Sequence, residues 1–362
     1  MAEQGAHSWI STAVSGGLAL AVAGVVGWHF PQANLEVLGL SAVATAVVGI
    51  PSVKLLRAWK TGQVIREEGP QSHAVKAGTP TMGGLYFLVV AVGVAVGMAL
   101  GLGGALPVEM IAAVLVIAAY GAVGWLDDWQ VIRQQSNKGL TPTQKLVLQI
   151  LIALGFCGWL SWRGGSTELW IPGLDGIPLG WAFWLLAVFA LLATNNAVNL
   201  TDGLDGLAAG TVALVALGLA LLPGGDPALN LLCLALSGAC LGFLAHNRHK
   251  AQVFMGDTGS LGLGGGLAAI AILKGSLWAL AWMGGVFVVE ALSVLAQVSY
   301  FKYTKRRIGE GKRLLRMSPL HHHLELSGWS EMQVVMAFYG VTGLLVATGY
   351  GLSRLLPSSL IS

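Results

Sequence analysis

Five of the seven aspartates, Asp127, Asp128, Asp202, Asp205 and Asp257, sit at the ends of long apolar segments that otherwise hold almost no charge. A carboxylate at the mouth of a membrane is costly unless it holds a cation or serves chemistry, so this set marks a working site. The acids are spread over three loops. Only a fold that gathers those loops can use them together.

The elements that must do so follow from composition. The chain has 362 residues, of which 55% are apolar and 10% charged, and its mean hydropathy is +0.72. Several apolar stretches approach the roughly 20 residues that cross a hydrocarbon core, which excludes a soluble enzyme and predicts an all-α polytopic membrane protein. Spans are predicted near residues 36–57, 81–103, 106–126, 146–162, 180–198, 206–222, 228–245, 259–273, 276–299 and 333–355. The whole of 1–362 reads as one integral membrane domain, with 1–35 an unassigned N-terminal segment and 300–332 a basic and histidine-bearing loop. Residues 8–29 are apolar enough to span, but no Lys or Arg precedes Lys54 to orient them. An eleventh span, an interfacial helix and an outside tail all stay open there.

Seventeen of the twenty Lys and Arg fall in alternate loops on one side, and only Arg163, Lys274 and Arg354 fall elsewhere. The positive-inside bias makes that side cytoplasmic, and it carries all five aspartates and the run His321, His322, His323. Cys157, Cys233 and Cys240 lie within spans, as small buried residues with no metal spacing. Gly and Pro around 163–180 predict an outside turn or hairpin.

Four stretches carry the polar signal. KAGTPTMGG, residues 76–84, offers Lys76, threonine hydroxyls and flexible glycine to an anion, or is an ordinary juxtamembrane turn. WLDDW, residues 125–129, is predicted at the end of a span. Adjacent helical residues point about 100° apart, so Asp127 and Asp128 take different roles, and acids at a helix C-terminus oppose the macrodipole. In NAVNLTDGLDGL, Asn199, Asp202 and Asp205 recur at intervals of three and would share a face on a helical turn, suiting a hard cation or sugar hydroxyls. FMGDTGSL, residues 254–261, sets Asp257, Thr258 and Ser260 at a helix N-terminus, where backbone N–H groups favour phosphate and Mg2+ could bridge a carboxylate to a diphosphate. Phe254 is there to stack on a base or to anchor at the interface.

PLHHHLE, residues 319–325, lacks the HExxH spacing of a zinc hydrolase, and three adjacent histidines cannot all ligate one zinc from a regular helix. In an irregular loop they could donate to phosphate oxygens or share protons.

These stretches, with GGVFVVE ending at Glu290, resemble in type and order the phospho-N-acetylmuramoyl-pentapeptide transferase family. The resemblance covers residues 76–325. It implies ten spans, a homodimer, Mg2+, and transfer of phospho-MurNAc-pentapeptide from its UDP carrier to the membrane lipid undecaprenyl phosphate. UMP and lipid I would form at the cytoplasmic face of the bacterial membrane, with no nucleic-acid partner. It further implies that Asp257 holds Mg2+ and that Asp127, Asp128 and His321 are catalytic. Lys76, Thr81, Asn199, Asp202, Gly203, Leu204, Asp205, Asn247, Phe254, Ser260 and Gln297 match the nucleotide pocket or its rim, with Phe254 beside uracil, and His322 and His323 match substrate contacts.

Two departures stand out. Trp129, Gln130 and Val131 follow the acidic pair where the family carries a lysine, so that phosphate contact is either absent or supplied by Lys138. The basic loop before Ser318 is also longer than usual. Direct attack by the lipid phosphate and a covalent aspartyl intermediate are both compatible with these residues. A GlcNAc-1-phosphate transferase would use the same acidic loops, with PLHHHLE favouring the muropeptide substrate. A lipid transporter fits poorly, because its acids would lie at the midplane.

Overall fold

The computed structural model describes residues 16–18, 32–59, 78–103, 105–134 and 139–356. Lys76, Lys138 and nearly all of residues 8–29 lie outside them. The helices are α1 Gln32–Ala58, α2 Gly84–Gly103, α3 Val108–Gln134, α4 Pro142–Trp162, α5 Ala182–Thr201, α6 Leu207–Leu221, α7 Pro227–Asn247, α8 Gly256–Leu273, α9 Leu277–Met283, α10 Gly285–Ile308, α11 Leu320–Leu326 and α12 Glu331–Ser353. Among the described residues nine of these are long and apolar enough to cross a membrane, and α6 is a shorter apolar helix. The chain is therefore an all-α polytopic membrane protein.

Each predicted span coincides with a helix, but four departures bear on the site. The span predicted at 276–299 is broken at Gly284 into α9 and α10, and α10 runs to Ile308, taking the first part of the predicted loop. α3 continues past the acidic pair to Gln134. Asp127 and Asp128 are thus inside a helix and not at its end, and the argument from an opposing macrodipole does not apply to them. α4 begins at Pro142, because Thr141 and Gln144 form a capping box with proline at the first helical position. Finally, His321–His323 lie on the short helix α11 and not in an irregular loop.

The helices form a shell around a centre. α6, α7 and α8 are buried along almost their whole length. α4, α5 and α10 expose Leu151, Leu154, Leu185, Phe189, Leu292 and Leu295, a surface suited to lipid and too apolar for water. Glycine sets how closely the inner elements approach. A Cβ on Gly238 or Gly242 of α7 would lie 2.3 Å from Leu38 O or 2.2 Å from Ala42 O of α1, the close backbone packing that small residues allow in membranes.

The turn predicted at 163–180 is an antiparallel hairpin, β1 Glu168–Leu169 with β2 Ile177–Pro178, pairing Glu168 with Pro178 and Leu169 with Ile177. The three cysteines are free and buried. Lys274, an exception to the charge bias, is buried with its Nζ donating to Gly224 O at 2.8 Å and Asn230 Oδ1 at 2.6 Å.

Candidate active site

The N-terminus of α8 is the fixed point of the site. Its first N–H groups have no partner within the helix. Asp128, reaching across from α3, supplies one. Its Oδ1 accepts from Asp257 N at 3.1 Å, and its Oδ2 accepts from Thr258 N at 2.9 Å and Thr258 Oγ1 at 2.6 Å. The carboxylate therefore meets the favourable end of a helix dipole. Gly256, at φ +72°, leaves room for it, since a Cβ there would lie 2.6 Å from Asp128 Oδ2 and 2.8 Å from Thr81 Oγ1. Replacing Asp128 with alanine strands three donors in a buried place. A loss of about 2–4 kcal/mol is expected, read as a lower thermal midpoint in detergent.

Segment 79–84 lies against the chain entering α8. Phe254 N donates to Pro80 O at 2.8 Å, and Gly83 N and Gly84 N donate to Phe254 O and Met255 O at 2.9 and 3.0 Å. Met82 between them adopts φ +71°, a conformation side chains seldom take unless their surroundings enforce it. Thr81 and Phe254 are thereby brought beside the start of α8.

Around Asp257 a polar cluster draws on four helices. Asn199 of α5 donates through Nδ2 to Asp257 Oδ1 at 2.7 Å and to Ser260 Oγ at 2.9 Å. Lys145 of α4 is ion-paired to Asp257 Oδ2. Asp127 faces Asp257 and Lys145, and its Oδ1 accepts from Leu140 N at 2.9 Å. Gly139 backs onto this carboxylate, and a Cβ there would lie 2.7 Å from Asp127 Oδ2 and displace it. The adjacent acids thus divide as their angular offset requires. Asp128 holds the helix, and Asp127 faces the cluster. Behind it, Gln149 Nε2 donates to Asn195 Oδ1 at 2.9 Å and Asn195 Nδ2 to Leu261 O at 3.0 Å, fastening α4 and α5 to α8.

Lys145 is the residue that sequence reasoning missed. It was counted among the charges flanking the span predicted at 146–162, whereas the capping box at Thr141 places it in the first turns of α4. That capping signal was the means of finding it.

Asn199, Asp202 and Asp205 do not share a helical face. α5 ends at Thr201, with Asp202 as its C-cap. Asp205 turns instead into a second cluster, where its Oδ2 accepts from Ala251 N at 3.0 Å and its backbone N donates to Glu331 Oε1 at 2.7 Å. His249 Nδ1 lies 3.5 Å from Asp205 Oδ2 and 3.3 Å from Glu331 Oε2. Asp205 and then Glu331 hold the imidazole pKa up to about 9. Asn247, also buried, fixes this turn by accepting from Gly206 N at 3.1 Å and donating to Val253 O at 2.9 Å. Leu204 packs in a small apolar cluster with Val286 and Val334.

The three histidines take three separate partners. His321 is buried against Glu290 of α10, whose Oε1 accepts from His321 N and whose Oε2 lies by His321 Nδ1, both at 3.1 Å. Its Nε2 has no hydrogen-bond partner among the described residues and abuts Gly203. His322 Nδ1 lies 2.9 Å from Glu325 Oε2, and His323 Nδ1 accepts from Arg316 N at 3.1 Å. Gln297 Oε1 accepts from Leu314 N and Leu315 N at 3.0 and 2.8 Å, securing the segment that leads to α11.

Two groups could hold a cation. Asp127 and Asp257 present oxygen ligands alone, suited to a hard ion. Asp205, His249 and Glu331 have ligand atoms within 4.8 Å of one another and include one nitrogen.

Comparison with known proteins fits this geometry. A family model described as Glycosyl transferase family 4 matches residues 110–275, which include Asp127, Asp128, Asn199 and Asp257, and phospho-N-acetylmuramoyl-pentapeptide-transferase signature 1 matches residues 76–88. The phospho-N-acetylmuramoyl-pentapeptide-transferase of Synechococcus sp. (strain JA-3-3Ab) is 60% identical over 92% of this chain and 96% of its own length. The proteins of the same name from Gloeothece citriformis and Nostoc sp. are 54% and 53% identical, over 86% and 88% of this chain and 85% and 86% of their own lengths. With identity of this extent over most of the chain, the chain belongs to the phospho-N-acetylmuramoyl-pentapeptide-transferase family.

Proposed function

We propose that this protein transfers phospho-MurNAc-pentapeptide from UDP-MurNAc-pentapeptide to undecaprenyl phosphate, forming lipid I and UMP for peptidoglycan synthesis. The observation that carries the reading is the cluster at the start of α8. There Asp257, Asp127, Asn199 and Lys145 come together from four helices in a chain of this family.

In this reading Asp257 would hold Mg2+, a hard ion that its carboxylate oxygens suit. When bound, the ion neutralises charge on the diphosphate. An oxygen of the lipid phosphate attacks the sugar-linked phosphorus. The bond between that phosphorus and the bridging oxygen breaks, and UMP leaves with the electron pair. Asp127, partly exposed and held at one oxygen by Leu140 N, takes the proton of the lipid phosphate. Lys145 offsets charge on the leaving group, filling the place of the missing lysine after the acidic pair. Asp128 keeps α8 in register and acts through Asp257.

Thr81, Asp202, Gly203, Leu204, Phe254 and Ser260 border the nucleotide, with Phe254 beside uracil and Lys76 at the rim. Asn199, Asp205, Asn247 and Gln297 shape this pocket through the bonds described above. His321 meets a phosphate through Nε2, and His322 and His323 line the approach of substrate. The protein works as a homodimer in the bacterial cytoplasmic membrane, with this site facing the cytoplasm, where the positive-inside bias puts the acidic loops.

Purified protein given both substrates releases UMP with Mg2+ present, and chelation stops the release. UDP-GlcNAc in place of the muropeptide substrate gives none. UMP release from UDP-GlcNAc at an equal rate, or turnover that survives chelation, would overturn the assignment.

A further inference from the structure

The cluster of Lys145, Asn199 and Asp257 has a counterpart one helical turn further from the mouth of the site. Gln149 follows Lys145 by four residues on α4, Asn195 precedes Asn199 by four on α5, and Leu261 follows Asp257 by four on α8. Residues four apart share a helix face, so the same three helices meet twice along the same sides. In the outer meeting Asn199 and Lys145 both hold Asp257. In the inner one Gln149 Nε2 donates to Asn195 Oδ1 at 2.9 Å, and Asn195 Nδ2 donates to Leu261 O at 3.0 Å. The inner set is neutral, and Gln149 and Asn195 are buried at 1% and 0% exposure.

Polar side chains at this depth are costly, and an apolar pair would fill the same space at less cost. What the amides add is direction. Apolar contacts between helices in lipid let one helix turn on another, whereas a hydrogen bond fixes both rotation and rise. α4 needs that control. It exposes Leu146, Val147, Leu151 and Leu154, and its buried residues are Gln149, Ala153, Phe156 and Cys157. Gln149 is therefore the buried anchor nearest Lys145, and both of its amide atoms are engaged. Its Oε1 accepts from Asn196 Nδ2 at 2.9 Å, and its backbone O accepts from Tyr120 Oη of α3 at 3.1 Å. A rotation of α4 by about 20° would move a side-chain atom ~6 Å from the helix axis by ~2 Å, enough to part Lys145 Nζ from Asp257.

We propose that Gln149 and Asn195 are positioning residues of the transferase, which set the rotation of α4 against α5 and α8 and so hold Lys145 Nζ at Asp257. The role rests on the transfer reading given above and deepens it. Both amides act through Lys145, since their own hydrogen bonds go to each other, to Asn196 and to Leu261 O. A misplacement of about 1 Å at the reacting groups costs up to about a hundredfold in rate. Lys145 offsets charge that develops as the leaving group departs, so its displacement lowers turnover more than it weakens substrate binding.

The test uses the full chain in detergent. Gln149→Met keeps the length of the side chain and removes the amide. It is expected to lower kcat for UMP release about tenfold, with KM for the UDP substrate within about twofold of wild type. In a Lys145→Met background the same change should cost less than about twofold, because nothing is left to position. Acylation of lysines by an amine-reactive ester, read peptide by peptide by mass spectrometry, gives a measure without turnover. Lys145 should react at least about fivefold faster in Gln149→Met, while the exposed Lys302 reacts as in wild type. If Gln149→Met does not fold, Gln149→Met with Asn195→Leu removes both amides of the pair together and carries the same expectations. Wild-type kcat in the variant, a loss undiminished by Lys145→Met, or unchanged labelling of Lys145 would each overturn the proposal. A wild type that releases no UMP would instead sink the transfer reading, and the labelling would still decide whether Gln149 and Asn195 place Lys145.

Discussion

Asp257→Asn lowers UMP release by about a thousandfold, a loss of about 4 kcal/mol in transition-state stabilisation at 1.36 kcal/mol per decade. The substitution keeps size and shape, and the backbone N–H of residue 257 still donates to Asp128, so the thermal midpoint stays close to that of wild type. What is lost is the charge. Asparagine cannot serve as an anionic ligand, and it leaves Lys145 without the partner it has in the resting protein. Lys145→Met is expected to cost tens of fold alone. Combined with Asp257→Asn it should cost much less than the product of the two, because groups that act as a unit are not additive. Single-turnover measurements on the three variants check this. An Asp257→Asn enzyme within tenfold of wild type would remove Asp257 from the centre of the mechanism.

Gly124→Ala is expected to abolish activity by a different route. A Cβ at that position would lie 2.1 Å from Asp257 O, 2.3 Å from Asp257 C and 2.5 Å from Thr258 N. All three atoms are backbone, so no side chain can swing aside. α3 must move off the start of α8, which breaks the bonds of Asp128 and draws Asp127 from Asp257. Destabilisation of more than about 3 kcal/mol follows, in the upper range for overpacking. Gly121, one turn earlier on α3, is the control, since a Cβ there would lie 3.5 Å from Thr258 O, an ordinary contact. Gly121→Ala should purify as wild type by size exclusion and thermal unfolding, and Gly124→Ala should not. Equal behaviour of the two would show that α3 and α8 do not approach so closely.

Hydropathy found the spans because the lipid requirement acts along the whole length of a helix and tolerates errors at the ends. The ends are where the site lies, and there it misled. Asp127 and Asp128 look terminal because charge interrupts the apolar run, yet hydrogen bonding carries α3 six residues beyond Asp128. Lys145 looks like a flank because its neighbours on one side are polar. Its partner is 112 residues away, and Glu331 stands 126 residues from Asp205. No local pattern encodes such pairings. The motif residues were legible as a set, since costly charges gather where function holds them. Which acid braces a helix and which faces the cluster depended on the rotation of α3, which the sequence pattern alone does not specify.

α8 carries Asp257 and six glycines in eighteen residues. In water each interior glycine would weaken a helix by about 1 kcal/mol relative to alanine. A peptide of this sequence would neither fold alone nor partition readily into a bilayer. Inside the shell the backbone has no competing water, and the missing side chains become room for α2, α3 and α5 to close in. The segment bearing Asp257 is thus held in place by the surrounding protein and not by lipid.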